Sequence, residues 1–140
     1  MNKYFIYYLS LLFCIFFFSC ENKGNLRAFK KQNKNGTILV VYPSKIDFGK
    51  VNKKRHSQLE FIIELENKGF KPLVINKTDV SCGCISFDIK NKIIPPGKKV
   101  NASLVVKTEG NIGYFNKAVF IRSTADNELE IIRVKGEFFD

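Results

Sequence analysis

From Ser57 to Asn67 the chain alternates with a period of two. Leu59, Phe61, Ile63 and Leu65 fall on one side; Gln58, Glu60, Glu64 and Glu66 fall on the other, with Ile62 alone breaking the polar series. A strand turns successive side chains to opposite faces, so this pattern predicts a strand with one face in a core and one in water. The same signal recurs along the chain, separated by turn residues. Thr37 to Tyr42 is a β-branched run stopped by Pro43, and Ile46-Asp47-Phe48-Gly49 leads into a basic turn, Lys53-Lys54-Arg55-His56. Asn67-Lys68-Gly69 is a turn, because Asn and Gly tolerate positive φ. Pro72 to Ile75 opens a strand toward Val80, and Ile85 to Ile89 follows the segment Ser81-Cys82-Gly83-Cys84. Pro95-Pro96-Gly97 punctuates. Asn101 to Lys107 then places Ala102, Leu104 and Val106 on one side. Gly110 and Gly113 bound a further turn before Tyr114 to Ser123, with Phe115, Val119 and Ile121 expected inward. Glu128 to Glu137 is the last strand, with Ile132 and Val134 inward. No helical period occurs in this part of the chain. About seven short strands at this spacing predict an all-β, antiparallel β-sandwich.

The first residues follow another logic. Met1-Asn2-Lys3 is a short basic segment, and Tyr4 to Phe18 is apolar except for Ser10. That run is short of the roughly 20 residues a spanning helix needs and suits a signal-peptide helix. Ser19-Cys20 then resembles the lipobox of bacterial lipoproteins, in which the cysteine is acylated and the chain is cut before it; Phe17 stands where Leu is usual. Residues 1–19 are thus expected to be a leader, with Cys20 the lipidation site. Residues 20–36, rich in Asn, Gly, Gln and Lys, are expected to be a flexible tether. Residues 37–140 form the folded domain. The expected location is the bacterial cell envelope, anchored to a membrane by lipid, at the outer membrane and facing the periplasm or the surface.

Net charge is +10, from 23 basic and 13 acidic residues. A basic chain can bind nucleic acid. Here the lysines are spread along the chain among many Asn, Ile and Phe, the bias of an AT-rich genome, and export removes the chain from nucleic acid. No nucleic-acid partner is expected. There is no Gly-rich phosphate loop and no nucleophile–base pair, so the chain is not expected to be an enzyme. The expected role is non-enzymatic binding or scaffolding in the cell envelope, with an envelope protein as the expected kind of partner; the alternative is an envelope thiol-redox or Cu(I)-binding protein acting through Cys82 and Cys84. Glu60, Glu64 and Glu66 share a face, which for a half-wet sheet is ordinary.

The order of motifs carries a resemblance. Asp47-Phe48-Gly49-Lys50-Val51, Asn67-Lys68-Gly69, Pro72-Leu73-Val74-Ile75, Ser81-Cys82-Gly83-Cys84, Ile94-Pro95-Pro96-Gly97 and Gly113-x-Phe115 together resemble domain-of-unknown-function family 1573, small exported proteins frequent in Bacteroidetes. The resemblance spans Thr37 to Glu137. It implies an immunoglobulin-like fold related to major-sperm-protein and ASH-type domains, and it implies no reaction. A polar residue often follows the second cysteine in this family; Ile85 stands there in this chain.

Cys82 and Cys84 admit four readings. They can form a disulfide, which an oxidising compartment permits. On a regular strand their Cβ atoms would lie too far apart for it, so Gly83 would have to kink the chain. They can bind a soft metal such as Cu(I); zinc wants four ligands, and His56 and a second chain would have to contribute. They can exchange thiols with a partner. They can also be two small buried residues without chemistry. No cofactor is required by any other residue.

Overall fold

A computed structural model describes residues 36–140. The leader, Cys20 and the tether up to residue 35 lie outside the described residues. The described chain forms nine strands: β1 (Leu39–Tyr42), β2 (Lys45–Asn52), β3 (Gln58–Asn67), β4 (Leu73–Val80), β5 (Ile85–Ile89), β6 (Ile93–Ile94), β7 (Lys99–Lys107), β8 (Gly113–Ser123) and β9 (Leu129–Phe139). They build a four-stranded sheet of order β1-β3-β7-β5 and a five-stranded sheet of order β2-β9-β8-β4-β6. The expected sandwich is therefore present, with two strands beyond those about seven. The two-residue β6 is too short to show a period, and the run from Thr37 to Tyr42 and the segment from Ile46 to Gly49, separated at Pro43, enter different sheets as β1 and β2.

Alternation decides the core. Ile63, Leu65, Ala102, Leu104 and Val106 from one sheet meet Leu73, Ile75, Phe115, Val119, Ile121, Ile132 and Val134 from the other, all buried. Ile85, in the position where a polar residue is common, is buried as the first core residue of β5. On the wet face Lys99 donates to Glu64 at 2.7 Å, which raises the lysine's pKa, and Lys68 lies 3.8 Å from Glu66.

One pair of strands is parallel: β2 runs alongside β9, while the other pairings are antiparallel. The motif Asp47-Phe48-Gly49 is the irregularity in this pair. Asp47 faces Lys135 and Lys50 faces Glu137, so Phe48 and Gly49 together oppose Gly136. In this bulge Gly49 takes a positive φ of 65°, a conformation glycine adopts without steric cost. The Asp47 carboxylate closes the bulge by accepting from the Gly49 N–H at 3.0 Å and from Lys135 at 3.0 Å. These two contacts hold the Asp47 pKa below its ordinary value. The bulge turns the Phe48 ring over Gly136, where it packs 4.8 Å from Phe138 and 5.7 Å from Phe115, centroid to centroid.

The two ends of the sandwich differ. At one end the described chain enters through Gly36 and Thr37. Phe70 N–H donates to Gly36 O at 2.8 Å, Asp126 N–H donates to Thr37 O at 2.9 Å, and the Thr37 hydroxyl donates to Thr124 O at 3.1 Å. The Asn127 side chain accepts from Leu39 N–H and donates to Leu39 O, extending β1 as a strand partner would. The turns β3–β4 and β8–β9 lie at this end. The turns β2–β3, β4–β5 and β7–β8 lie at the other. The 10-residue β3 joins the two ends, a span of about 30 Å at strand rise.

Candidate functional site: the Cys82–Cys84 turn

β4 leaves its sheet at Val80, and the chain crosses to β5 in the other sheet through Ser81-Cys82-Gly83-Cys84. The direction of Cys82 is set upstream. β4 carries an extra residue, Asn76, between Ile75 opposite Ser123 and Lys77 opposite Arg122. A one-residue insertion exchanges the faces of everything after it. Leu73 and Ile75 point inward before it; after it Thr78 and Val80 stand opposite the buried Ile121 and Val119, with Val80 at the strand end still 38% exposed. Cys82, two residues further, continues that face and packs with Cys84 against the core.

Cys82 and Cys84 are joined by a disulfide, with Cα atoms 5.2 Å apart. The short separation comes from a turn and not from a kinked strand: Ile85 N–H donates to Cys82 O at 3.3 Å, so the two cysteines lie at the first and third positions of a tight turn. Gly83 does not adopt positive φ, and a Cβ built on it would meet no atom within 4 Å. The expected glycine kink is therefore not what brings the sulfurs together; the turn does.

The turn is fastened to both sheets. On the β8 side, Ser81 N–H donates to Ala118 O at 3.0 Å and Ala118 N–H donates to the Ser81 hydroxyl oxygen at 2.8 Å. On the β7 side, Lys107 N–H donates to Cys84 O at 2.9 Å. The next residue, Thr108, is buried and sends its hydroxyl to His56 O at 2.6 Å and Ser57 O at 3.0 Å. The disulfide turn, the β7–β8 turn and the basic β2–β3 turn thus form one connected end. Lys54, Arg55 and His56 are exposed there, while Lys53 pairs with Asp140 at 3.2 Å. Ile112 and Tyr114 leave large apolar surfaces in solvent, 69% and 73% exposed. Sequence reasoning had no role for Ser81 beyond its place before a cysteine; its hydroxyl is the acceptor that caps a β8 donor.

With the sulfurs bonded to each other there is no thiolate for Cu(I) or zinc, so metal binding belongs to a reduced chain. Among the described residues no group of three or more His, Cys, Asp and Glu side chains is placed to share an ion. The bridge is also a weak staple. Chain-entropy arithmetic for a closed loop of about three residues predicts about 1.6 kcal/mol, against about 3 for a 15-residue loop. Replacing both Cys82 and Cys84 by Ser is therefore expected to lower unfolding free energy by no more than about 2 kcal/mol and to leave the far-ultraviolet spectrum unchanged. Urea denaturation measures it, and a loss above about 4 kcal/mol would make the bridge a structural staple after all.

The described residues define an immunoglobulin-like β-sandwich whose one irregular chemical feature is this disulfide turn. A family model described as "Protein of unknown function (DUF1573)" matches residues 39–138, and the chain belongs to that family. Among solved structures it is similar to a protein of unknown function from Porphyromonas gingivalis W83, with TM-score 0.63 and 19% identity over 81% of this chain and 51% of that one. The chain thus spans about half the length of that protein. It is also similar to the secreted serine protease VesC from Vibrio cholerae, with TM-score 0.54 and 13% identity over 76% of this chain and 24% of that one. A third likeness is to the ASH/PapD-like domain 7 of human CEP192, with TM-score 0.53 and 12% identity over 73% of this chain and 85% of that one. At these identities the likeness is one of fold. No curated protein matches the chain.

Proposed function

We propose that this chain is a lipid-anchored protein of the bacterial cell envelope, held by acylated Cys20 and the tether over residues 20–36, whose sandwich binds an envelope protein. The observation that carries the reading is the division of labour between the two ends. The chain enters the domain at Gly36 and Thr37, tied to the β3–β4 and β8–β9 turns. The disulfide turn, the basic turn and the exposed Ile112 and Tyr114 lie at the opposite end, about 30 Å away at strand rise. A domain tethered through its entry end holds the other end out toward a partner. Loops at one end of a sandwich are a common contact surface, because the sheets position them rigidly. Exposed Lys54 and Arg55 on one turn and exposed Ile112 on another turn of the same end suit a partner that offers both acidic and apolar surface.

Two measurements test the two halves. The mass of the mature N-terminus is expected to show an acylated cysteine at position 20; an unmodified Cys20 or an intact leader overturns the anchor. A photo-crosslinking residue placed at Arg55 in cells is expected to capture a protein that one placed at Phe70, at the entry end, does not. Equal capture at both positions, or none at Arg55, overturns the binding end.

A further inference from the structure

The turn at Cys82–Cys84 does not depend on its sulfur bridge for its shape. Four backbone or hydroxyl hydrogen bonds hold it: two between Ser81 and Ala118, one from Lys107 to Cys84 and one from Ile85 to Cys82. None involves sulfur, and all remain available when the bridge is reduced. Reduction therefore leaves two thiols anchored on Cα atoms 5.2 Å apart, within the span a disulfide requires. Holding two groups in this way raises their effective concentration toward one another and favours closure. The site is also open. Gly83 is exposed, and the space above it, where a side chain would stand, contains no atom within 4 Å. A pair that adds little stability, is preorganised to close and is uncovered on one side has the features of a working dithiol.

We propose that Cys82 and Cys84 are a redox-active pair whose reduced form gives two electrons to a disulfide in another exported protein, approached across Gly83. One cysteine thiolate attacks a sulfur of the partner's disulfide; that S–S bond breaks, and the departing partner sulfur takes up a proton. The resulting mixed disulfide is then attacked by the second cysteine, which has lost its proton to solvent. The Cys82–Cys84 bond forms, and the partner's remaining sulfur leaves and is protonated. The partner ends as a dithiol, and this chain ends in the bridged state of the structure. Returning it to the reduced state takes two electrons from a protein dithiol of lower potential. The proposal goes beyond the binding function above and does not depend on the lipid at Cys20.

Trypsin cleavage after Lys77 and Lys90 releases residues 78–90, which contain Cys82 and Cys84 and no other cysteine. Differential alkylation followed by mass spectrometry of that peptide reads this pair alone in the full chain. In glutathione buffers the pair is expected to be half oxidised at a ratio of oxidised to squared reduced glutathione at least tenfold lower than for the synthetic 78–90 peptide. Equality with the free peptide would overturn the preorganised pair. Mixed with insulin, the reduced chain is expected to return peptide 78–90 as a disulfide, and one of the two variants Cys82→Ser and Cys84→Ser is expected to stop at a mixed disulfide on its remaining cysteine. Two thiols still alkylatable in natively folded wild type after hours with insulin would overturn the reaction. Gly83→Val fits sterically and is expected to slow the reaction with insulin fivefold or more while leaving the glutathione equilibrium unchanged. A Gly83→Val chain as fast as wild type with insulin would overturn the approach route. N-terminal mass reads the anchor separately, so the two proposals fail independently.

Discussion

Asn67→Ala is expected to lower unfolding free energy by about 3–5 kcal/mol, a large share of the 5–15 kcal/mol typical of a domain. Asn67 is fully buried at the end of β3, and every arm of its amide is used. Its NH₂ donates to Lys71 O at 2.8 Å and to Ile94 O at 2.9 Å, and its oxygen accepts from Gly69 N–H at 2.9 Å. Its backbone adds bonds from Asn67 N–H to Lys98 O at 3.0 Å and from Gly97 N–H to Asn67 O at 2.8 Å. The side chain therefore couples the β3–β4 turn to β6 and to the Pro95-Pro96-Gly97 turn. Alanine leaves the Ile94 carbonyl without its partner in the interior and the Lys71 carbonyl and Gly69 N–H without theirs at partly buried positions, and a buried orphan costs about 1–3 kcal/mol. Asp would be no rescue, because a carboxylate would face two carbonyl oxygens with no donor to offer. Urea denaturation measures the loss; a change under about 1 kcal/mol would show that water replaces the amide without cost.

Gly136→Ala is expected to cost about 1–3 kcal/mol, from a single added methyl group. A Cβ at Gly136 would overlap the Phe48 ring. That ring is backed by Phe115 and Phe138, which meet each other edge to face at 5.4 Å, so it cannot shift within the cluster. The half-buried ring must swing further into solvent and give up the burial it has, a part of the roughly 1.5–3 kcal/mol that full burial of such a side chain is worth. The cause is separable by a double-mutant cycle. In a Phe48→Ala background the same Gly136→Ala change is expected to cost less than about 0.5 kcal/mol, because the two residues meet directly. Additive losses would place the strain elsewhere in β9.

Both positions mark how far the sequence could be read. Asn67 and Gly136 are turn-type residues by composition. Only the first lies at a turn, and its importance comes from burial, which no local pattern reports. The motif Asp47-Phe48-Gly49 could be quoted from the sequence as part of a family resemblance. Its physical content is a bulge, closed by Asp47 and opened by Gly49 at positive φ, that lays Phe48 over the one β9 residue without a side chain. Likewise Ser81-Cys82-Gly83-Cys84 was legible as a candidate site. The turn that brings the sulfurs together, and the Asn76 bulge that directs them inward, were not.

The sequence by itself determined where the longer strands run, which apolar side chains alternate inward along their regular stretches and that the product is an all-β sandwich. Those are local matters: side chains alternate along any strand, and burial rewards the apolar set. Tertiary structure alone decided which strands share a sheet, that β2 lies parallel to β9, that β6 exists, and that Cys82 meets Cys84 across a turn. Strand pairing runs through backbone N–H and C=O groups that are the same in every residue but proline, so the sequence carries little record of which partner each strand will find. The partner is chosen by how all the apolar faces can be buried at once.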